Sequence, residues 1–372
     1  MTNVLFLYWG RKGGGVHYTA ELLESDFSAH GIRVFSSFST YGEMRKLRRR
    51  CDLWQKTYNG KLSFALSSVL LPVYLIRLLL FIRRNNIQVV YVPMRHLWSP
   101  GINAFLHLCG VPLIHCVHDA RPHPGDPSFL WNFLLRWELR FSKAVVVLSN
   151  SVGRVLAEEC GDILRRKTIH VSTLPLFKSP EINADNGASA PRSTTNFLFF
   201  GRIAPYKGLE ILLRAFSNLP NQEARLTILG TGALSDDLQS AIESDDRIQC
   251  RLGWLDESEI SAALKAQDIM VLPYTEASQS GAIMSAFGAG LPVIASPVGG
   301  LSEQVQDNVT GLILDEPTSE CLQQVMKQIC EVPDILVKLK SGVSHYSAQN
   351  TQWISAVERL ADLFKKVAIG VQ

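Results

Sequence analysis

Residues 272–303 read LPYTEASQSGAIMSAFGAGLPVIASPVGGLSE, and this stretch decides how the second half of the chain folds. An apolar strand at 269–272 runs into a polar loop, and a helix then starts at 280–281. Glycines within 288–290 end the helix, and Pro292 opens another apolar strand. The first N–H groups of such a helix are unpaired and carry partial positive charge, which favours a phosphate. The stretch therefore predicts a strand–loop–helix–strand unit with a phosphate site.

Apolar strands alternate with helical patterns on both sides of this stretch, which predicts parallel sheets covered by helices on both faces. Residues 179–195 interrupt the alternation with Ser, Pro, Asn and Ala, as a linker does. We therefore predict an α/β protein with two doubly wound domains, at 1–178 and 196–350, and a ligand cleft between them. An amphipathic helix within 351–372 is expected to pack back toward the first domain.

Charge is divided unevenly between the two halves. Residues 1–178 hold 23 Lys and Arg against 11 Asp and Glu, whereas residues 179–372 hold 14 against 23. A basic first half suits an anionic membrane surface or a phosphorylated acceptor. No nucleic-acid motif accompanies the charge, so nucleic acid is not an expected partner.

An apolar run at 62–82, LSFALSSVLLPVYLIRLLLFI, is long enough to span a bilayer but contains a proline, an arginine and three serines. Three interpretations stay open: a helix buried against the sheet, a helix on the membrane interface, or a spanning helix. The N-terminus shows no leader pattern, so we expect a cytoplasmic protein, peripheral on the inner face of the membrane. The seven cysteines include no Cys-x-x-Cys pair, which predicts neither a disulfide framework nor a zinc site.

Two cations stand in the segment GRIAPYKG at 201–208, which follows a predicted strand at 196–200 and precedes a helix. We expect Arg202 and Lys207 to lie in a loop near the helix end described above, because the carboxyl ends of parallel strands meet at one edge. Arginine offers a planar fork of donors and lysine a point charge, so together they predict a diphosphate site. The sequence has no Asp-x-Asp motif for a divalent metal, and we expect no metal site.

The Gly-Arg pair, with a lysine and a glycine five and six residues after the arginine, and the block PVIASPVGGLSE at 292–303 resemble the retaining glycosyltransferases of family 4. Similar features are the glycines at 13–15, CVHD at 116–119 and LGTG at 229–232. The resemblance implies the GT-B architecture of two facing Rossmann-like domains. It also implies a metal-independent hexosyltransferase without a cofactor, which moves a sugar with retention from a nucleotide-sugar donor to a saccharide or lipid-diphosphate-saccharide acceptor. Such enzymes act in the biosynthesis of bacterial polysaccharides and glycolipids.

The resemblance also implies roles for individual residues. Arg202 and Lys207 would bind the donor diphosphate and stabilise it as it leaves, and His118 would contact the donor sugar near the reaction centre. The remaining contacts to the donor or acceptor would come from Gly14, Gly15, Gly201, Trp254, Leu255, Glu276, Ser278, Gln279, Ser280, Gly281, Ala282 and Ser285.

The donor loop departs from the family pattern, because Ala277 and Ser285 stand where two glutamates are common. Glu276 lies one residue early, and a serine offers one weaker hydrogen bond in place of a carboxylate. A non-catalytic membrane scaffold that has lost the two glutamates therefore stays open, and so does an enzyme of another class with the same fold, such as a nucleotide-sugar epimerase. His123 fits an acceptor contact or a turn, and Glu303 fits a helix start or a catalytic role.

Overall fold

The computed structural model describes residues 1–11, 13–46, 51–122, 128–177, 194–220, 224–253, 255, 257–349 and 351–370. The chain forms two units. One consists of Met1–Pro175 together with Thr351–Gln372, and the other consists of Leu176–Asn350. Each unit is built around its own parallel sheet.

The first unit contains a sheet in the strand order β3-β2-β1-β4-β5-β6-β7, and every pairing is parallel. Its strands are β1 (Thr2–Tyr8), β2 (Ile32–Ser39), β3 (Leu53–Gln55), β4 (Val89–Val92), β5 (Leu113–Val117), β6 (Ala144–Val147) and β7 (Thr168–Val171). Its helices are α1 (Gly14–Glu24), α2 (Glu43–Lys46), α3 (Lys61–Val69), α4 (Leu71–Arg84), α5 (Ser99–Leu108), α6 (Ser128–Phe141), α7 (Asn150–Leu164) and the C-terminal helix α15 (Thr351–Ile369).

Strand β1 shows how this sheet is covered on both faces. Successive side chains of a strand point to opposite faces. Leu5 and Leu7 join a core that includes Ile102 of α5, whereas Phe6 lies with its ring centroid 6.0 Å from that of Phe364 in α15. A strand buried on both faces has no polar alternation, which is why β1 reads as a continuous apolar run.

The second unit contains a parallel sheet in the strand order β10-β9-β8-β11-β12-β13. Its strands are β8 (Thr195–Arg202), β9 (Ala224–Thr231), β10 (Ile248–Leu252), β11 (Ile269–Leu272), β12 (Val293–Ala295) and β13 (Gly311–Ile313). Its helices are α8 (Leu209–Ser217), α9 (Asp236–Glu243), α10 (Glu257–Lys265), α11 (Gly281–Gly288), α12 (Leu301–Gln304), α13 (Ser319–Glu331) and α14 (Asp334–Gln349). The predicted fold class, α/β with two Rossmann-like doubly wound sheets, is confirmed.

Two segments differ from the prediction. Strand β8 begins at Thr195, inside the range predicted as linker, and the rest of that range up to residue 193 lies outside the described residues. The apolar run at 62–82 forms two helices, α3 and α4, bent by 65° at Leu70. The bend falls beside Pro72, because proline lacks an N–H and its ring clashes with the preceding turn.

The buried-helix interpretation of this run holds only weakly for α3, which has no fully buried residue and contacts the core through Phe64. It holds for one face of α4, where Leu78 and Ile82 enter the core. Among the described residues, no single helix is both long and apolar enough to cross a membrane. The bent pair α3 and α4 passes that test by length and composition alone.

Candidate functional site

The second sheet reverses its direction of winding between β8 and β11, which lie side by side at its centre. Doubly wound sheets bind ligands beyond the carboxyl ends of the strands at such a point. Arg202 is the last residue of β8 and not, as predicted, a loop residue. The segments that follow β8 and β11 contact each other, since the Thr275 amide donates a 2.9 Å hydrogen bond to the Tyr206 carbonyl.

Gly208 lets these two segments approach closely. It has a left-handed backbone with φ of 68°, and it separates a short 3-10 turn, Pro205–Lys207, from α8. A Cβ at this position would lie 1.9 Å from the carbonyl oxygen of Pro273. No side chain fits that gap, so only glycine places Lys207 against the loop after β11.

Arg202 and Lys207 are brought together by aromatic residues. The Arg202 Nη2 donates a 2.8 Å hydrogen bond to the Tyr206 hydroxyl. The Lys207 ammonium lies 3.7 Å from the ring centroid of Tyr274 and 5.1 Å from that of Tyr206. Cation–π attraction contributes about 0.5–2 kcal/mol, so the two rings hold the cations in place before a ligand arrives. Lys207 therefore lies against the loop that leads into α11, and Arg202 is linked to it through Tyr206.

Tyr274 also connects the cations to that loop. Burial raises the pKa of its hydroxyl to about 12, and a hydrogen bond with the Ser280 side chain partly opposes this shift. Tyr274 is therefore a neutral phenol over the ordinary physiological range. One face of its ring contacts the Lys207 ammonium, and its hydroxyl is hydrogen-bonded to the side chain of Ser280, the residue that precedes α11.

Gln304 fixes the start of α11 and was missed from the sequence. The Ser280 amide donates to its Oε1 at 2.7 Å, and its Nε2 donates to the Ser280 carbonyl at 3.1 Å. The Ser280 amide is therefore already used, which corrects the expectation that it would bind a ligand. The N–H groups suited to an anion are those of the first helical turn, Gly281 to Ile283, which precede the first intrahelical bonds.

The other predicted donor-binding residues differ in availability. Ser285 donates its hydroxyl to the Gly281 carbonyl at 3.2 Å, so that hydrogen is used within α11. Glu276 is exposed, whereas the Gln279 Oε1 is buried and accepts no hydrogen bond from the described residues. Leu255 is buried, and Trp254 lies outside the described residues.

In the first unit, the glycine-rich loop leads into α1. Gly13 has φ of 90° and precedes the helix. A Cβ on Gly15 would lie 2.2 Å from the Met94 sulfur, so glycine lets α1 approach the segment after β4. A Cβ on Gly14 would meet nothing within 4 Å, which leaves its backbone accessible to a ligand.

His118 lies at the exit of β5, as predicted. Its Nε2 is 2.8 Å from the Pro93 carbonyl oxygen. Because a carbonyl only accepts, Nε2 carries the hydrogen and Nδ1 is left as an acceptor. Burial lowers the pKa of the His118 imidazole, so the ring is neutral at pH 7. His123 lies outside the described residues.

Two family models match the chain. The one described as Glycosyltransferase Family 4 covers residues 13–172, and the one described as Glycosyl transferases group 1 covers residues 194–331. Together they span most of the two units described above.

Three known proteins illustrate the similarity. The D-inositol 3-phosphate glycosyltransferase of Streptomyces scabiei is 23% identical over 308 residues, which cover 72% of this chain and 66% of that protein. The GDP-mannose:glycolipid 4-beta-D-mannosyltransferase of Xanthomonas campestris is 27% identical over 203 residues, 51% of each chain. This chain thus spans between half and two thirds of the length of these relatives. The solved structure of Anabaena HepE in complex with UDP superposes with a TM-score of 0.71 at 16% identity, covering 98% of this chain and 100% of that one, which shows the fold.

Proposed function

The chain belongs with the family 4-like glycosyltransferases of GT-B fold, and we propose that it transfers a sugar, with retention, from a nucleotide-sugar donor to a lipid-linked saccharide acceptor in polysaccharide or glycolipid biosynthesis. The observation that carries the proposal is that Arg202 ends the central strand β8 of the second sheet and Lys207 follows it, with Lys207 against Tyr274 of the loop that leads into α11. The Xanthomonas relative is a GDP-mannose:glycolipid mannosyltransferase by name, which supports a glycolipid as the acceptor class.

The chemistry requires breaking the bond between the donor sugar and its diphosphate. Negative charge grows on the diphosphate as the sugar leaves, and donors already aimed at that charge lower the barrier, by about 3–4 kcal/mol for an important one. Arg202 offers two parallel N–H donors, Lys207 an ammonium, and Gly281 to Ile283 backbone N–H groups. These donors would stabilise the leaving group without a divalent metal.

The sugar and nucleoside would be held by groups that still have hydrogen-bonding capacity. In the first unit, the Nδ1 of His118 would accept a hydrogen bond from a sugar hydroxyl. In the second unit, the buried Oε1 of Gln279 would accept one as well. Glu276 is exposed and would substitute for the first missing glutamate of the donor loop.

Membrane contact would come from α3 and α4. They expose seven large apolar side chains, Leu62, Leu66, Val69, Leu70, Val73, Ile76 and Leu80, by 49–77%. Basic residues stand among and beside them, at Lys61, Arg77 and 83–84, and all are exposed. An apolar face with cationic flanks suits the interface of an anionic leaflet. A peripheral position on the inner face of the cytoplasmic membrane would bring the enzyme to a lipid-linked acceptor.

A panel of nucleotide sugars, incubated with membrane lipid extract and EDTA and read by mass spectrometry, tests the activity. We expect one donor to yield a glycosylated lipid with the anomeric configuration retained. Lys207→Ala should lose most of the turnover, whereas Lys338→Ala, which neutralises an exposed lysine on α14, should keep it. Undiminished turnover by Lys207→Ala would refute the role of that lysine.

Two outcomes of the same panel would favour the alternative functions. Absence of product from every nucleotide sugar, together with absence of calorimetric binding, would favour the scaffold. An epimerised donor formed without acceptor would favour the epimerase. Vesicle flotation tests the proposed membrane contact separately. Wild-type protein should float with phosphatidylglycerol vesicles, and a Leu62→Asp, Leu66→Asp double variant should not. A wild-type protein that does not bind the vesicles would refute the proposed membrane contact.

A further inference from the structure

Three neighbouring helices, α4, α5 and α6, lie side by side on one face of the first sheet. At the first junction, a Cβ on Gly101 of α5 would lie 3.9 Å from the Leu71 side chain of α4. At the second, the ring centroids of His107 in α5 and Phe141 in α6 are 5.3 Å apart. The C-terminal helix α15 packs on the other side of β1, so this layer lies opposite α15.

The outward side of this helical layer is apolar from α4 to α6. On α6, Phe133 and Trp137 are four residues apart, 53% and 40% exposed, with ring centroids 5.9 Å apart. On α5, residues without polar side-chain atoms recur at helical spacing and are partly or fully exposed: Gly101, Ala104, Phe105 and Leu108. With the exposed side chains of α4, they extend the apolar surface across three helices, whereas isolated exposed apolar residues are ordinary.

Acidic residues are rare in these helices. Residues 61–118 contain no Asp or Glu, and the single acidic residue of α6 is Glu138. Glu138 faces the protein interior, since its side chain is fully buried and its Oε2 lies 3.5 Å from the Arg95 Nε. Burial raises the pKa of Glu138 to about 8 although Arg95 opposes the shift, so the carboxyl is protonated at pH 7. Helices on ordinary protein surfaces mix both signs of charge, so this one-sided composition indicates an anionic partner.

Cations border the apolar surface where the helices end. Helices that connect parallel strands run against them, so the C-terminal ends of α4 and α6 meet the same edge of the sheet. The exposed cations at these ends are Arg83, Arg84, Arg140 and Lys143. Nearby acidic side chains of α7 already have partners, since Glu159 pairs with Arg121 and Asp162 with Arg136. The edge therefore has a net positive charge, which suits phospholipid headgroups.

We propose that the face formed by α4, α5 and α6 lies on an anionic leaflet, with Phe133 and Trp137 inserted at the level of the headgroups. Tryptophan is typical of the membrane–water interface, because its ring is apolar while its N–H stays hydrated. An apolar centre with a cationic border is the distribution that interfacial binding needs. The inference rests on the membrane contact proposed above and extends it from α3 and α4 to α6.

Fluorescence quenching by brominated phosphatidylglycerol vesicles tests the contact at α6, because bromine quenches only indole rings that reach the lipid. Wild-type fluorescence should fall on binding. Trp137→Phe keeps an aromatic ring, so it should bind equally well but lose the larger part of the quenching. Trp353→Phe is the matched control, because Trp353 is buried on α15 at the opposite face, and its quenching should equal that of the wild type. Equal quenching of Trp137→Phe and wild type would overturn the inference.

Cosedimentation with the same vesicles measures the affinity. A Phe133→Asp, Trp137→Asp double variant should bind roughly tenfold more weakly or worse, because it places charge in the apolar surface. Ile354→Asp is the matched control, since Ile354 is 59% exposed on α15, and it should bind as the wild type does. Unchanged affinity of the double variant would overturn the inference and leave the contact through α3 standing.

Sedimentation velocity without lipid distinguishes a second copy of the chain from a membrane. A dimer of the wild type that the Phe133→Asp, Trp137→Asp substitutions dissociate would assign this surface to self-association and overturn the inference. A failure of the proposed glycosyltransferase function looks different. No nucleotide sugar would then bind to the wild type in calorimetry, whereas binding to vesicles would be unaffected.

Discussion

Replacing Glu138 with glutamine should stabilise the first unit increasingly as the pH rises. The folded protein keeps the carboxyl protonated up to about pH 8, whereas the unfolded chain releases the proton near the ordinary value of 4.5. Between these values the folded state binds more protons than the unfolded state, so the free energy of unfolding of the wild type falls as the pH rises. Glutamine has nearly the same shape but does not titrate, so the free energy of unfolding of the variant lacks this fall with pH.

The magnitude follows from the linkage slope of about 1.36 kcal/mol per pH unit. From about pH 5 to about pH 7.5 the wild type should lose about 3 kcal/mol relative to Glu138→Gln. His96 and His115, whose pKa values burial lowers to about 3, raise stability with pH up to about 6.5 in both proteins. Their contribution cancels in the difference between the two proteins.

Urea unfolding followed by tryptophan fluorescence measures this difference in the relevant unit, because six of the seven tryptophans belong to it. Glu158→Gln is the control, since it makes the same substitution at a glutamate of the same unit whose side chain is 68% exposed. A pH-independent difference for Glu138→Gln would refute the reasoning. It would mean that Glu138 is ionised in the folded state and already neutralises Arg95.

Three further predictions concern the second unit. Gly208→Ala should destabilise it by more than about 2 kcal/mol, because left-handed backbone strain adds to the clash with Pro273. Gly110→Ala in the first unit, with a φ of 73° and no atom within 4 Å, measures the strain alone. Similar losses of stability in thermal melts of the two variants would contradict the clash. Tyr274→Phe should keep the affinity for nucleoside diphosphates, whereas Tyr274→Leu should lower it several-fold by removing the ring under Lys207; equal calorimetric affinities would contradict that role. Gln304→Ala should lower the affinity for nucleoside diphosphates more than the affinity for nucleosides, because it removes the hydrogen bonds that hold the start of α11. An equal loss of affinity for both ligands would contradict this role.

Sequence patterns predicted the parts of the fold that depend on periodicity. Buried parallel strands read as apolar runs, and the segment at 201–208 was expected to place two cations after a strand, whereas Arg202 ends β8 and Lys207 follows it. The break between α3 and α4 was missed, although Pro72 signals it locally. Tyr206 belongs to the segment at 201–208, but the spacing of its residues does not show that the Tyr206 hydroxyl accepts a hydrogen bond from Arg202.

Contacts between distant residues could not be predicted from local pattern. Gln304 binds the backbone of a residue 24 positions away. Glu138 and Arg95 lie 43 positions apart in sequence, and only the packing of α6 on the sheet brings them within 3.5 Å. A glutamate within an apolar helix was the available signal, since such residues are rarely buried without a partner.

The diphosphate site can be tested by measuring the binding of UDP, UMP and uridine, and of the matching guanosine series, to wild-type protein and to Lys207→Ala. We predict that the wild type binds one diphosphate at least tenfold more tightly than its monophosphate. Lys207→Ala should lose most of that preference, because a charge-assisted hydrogen bond is worth about 1.5–3 kcal/mol. The same preference in both proteins, or none in the wild type, would contradict a diphosphate site formed by Arg202, Lys207 and α11.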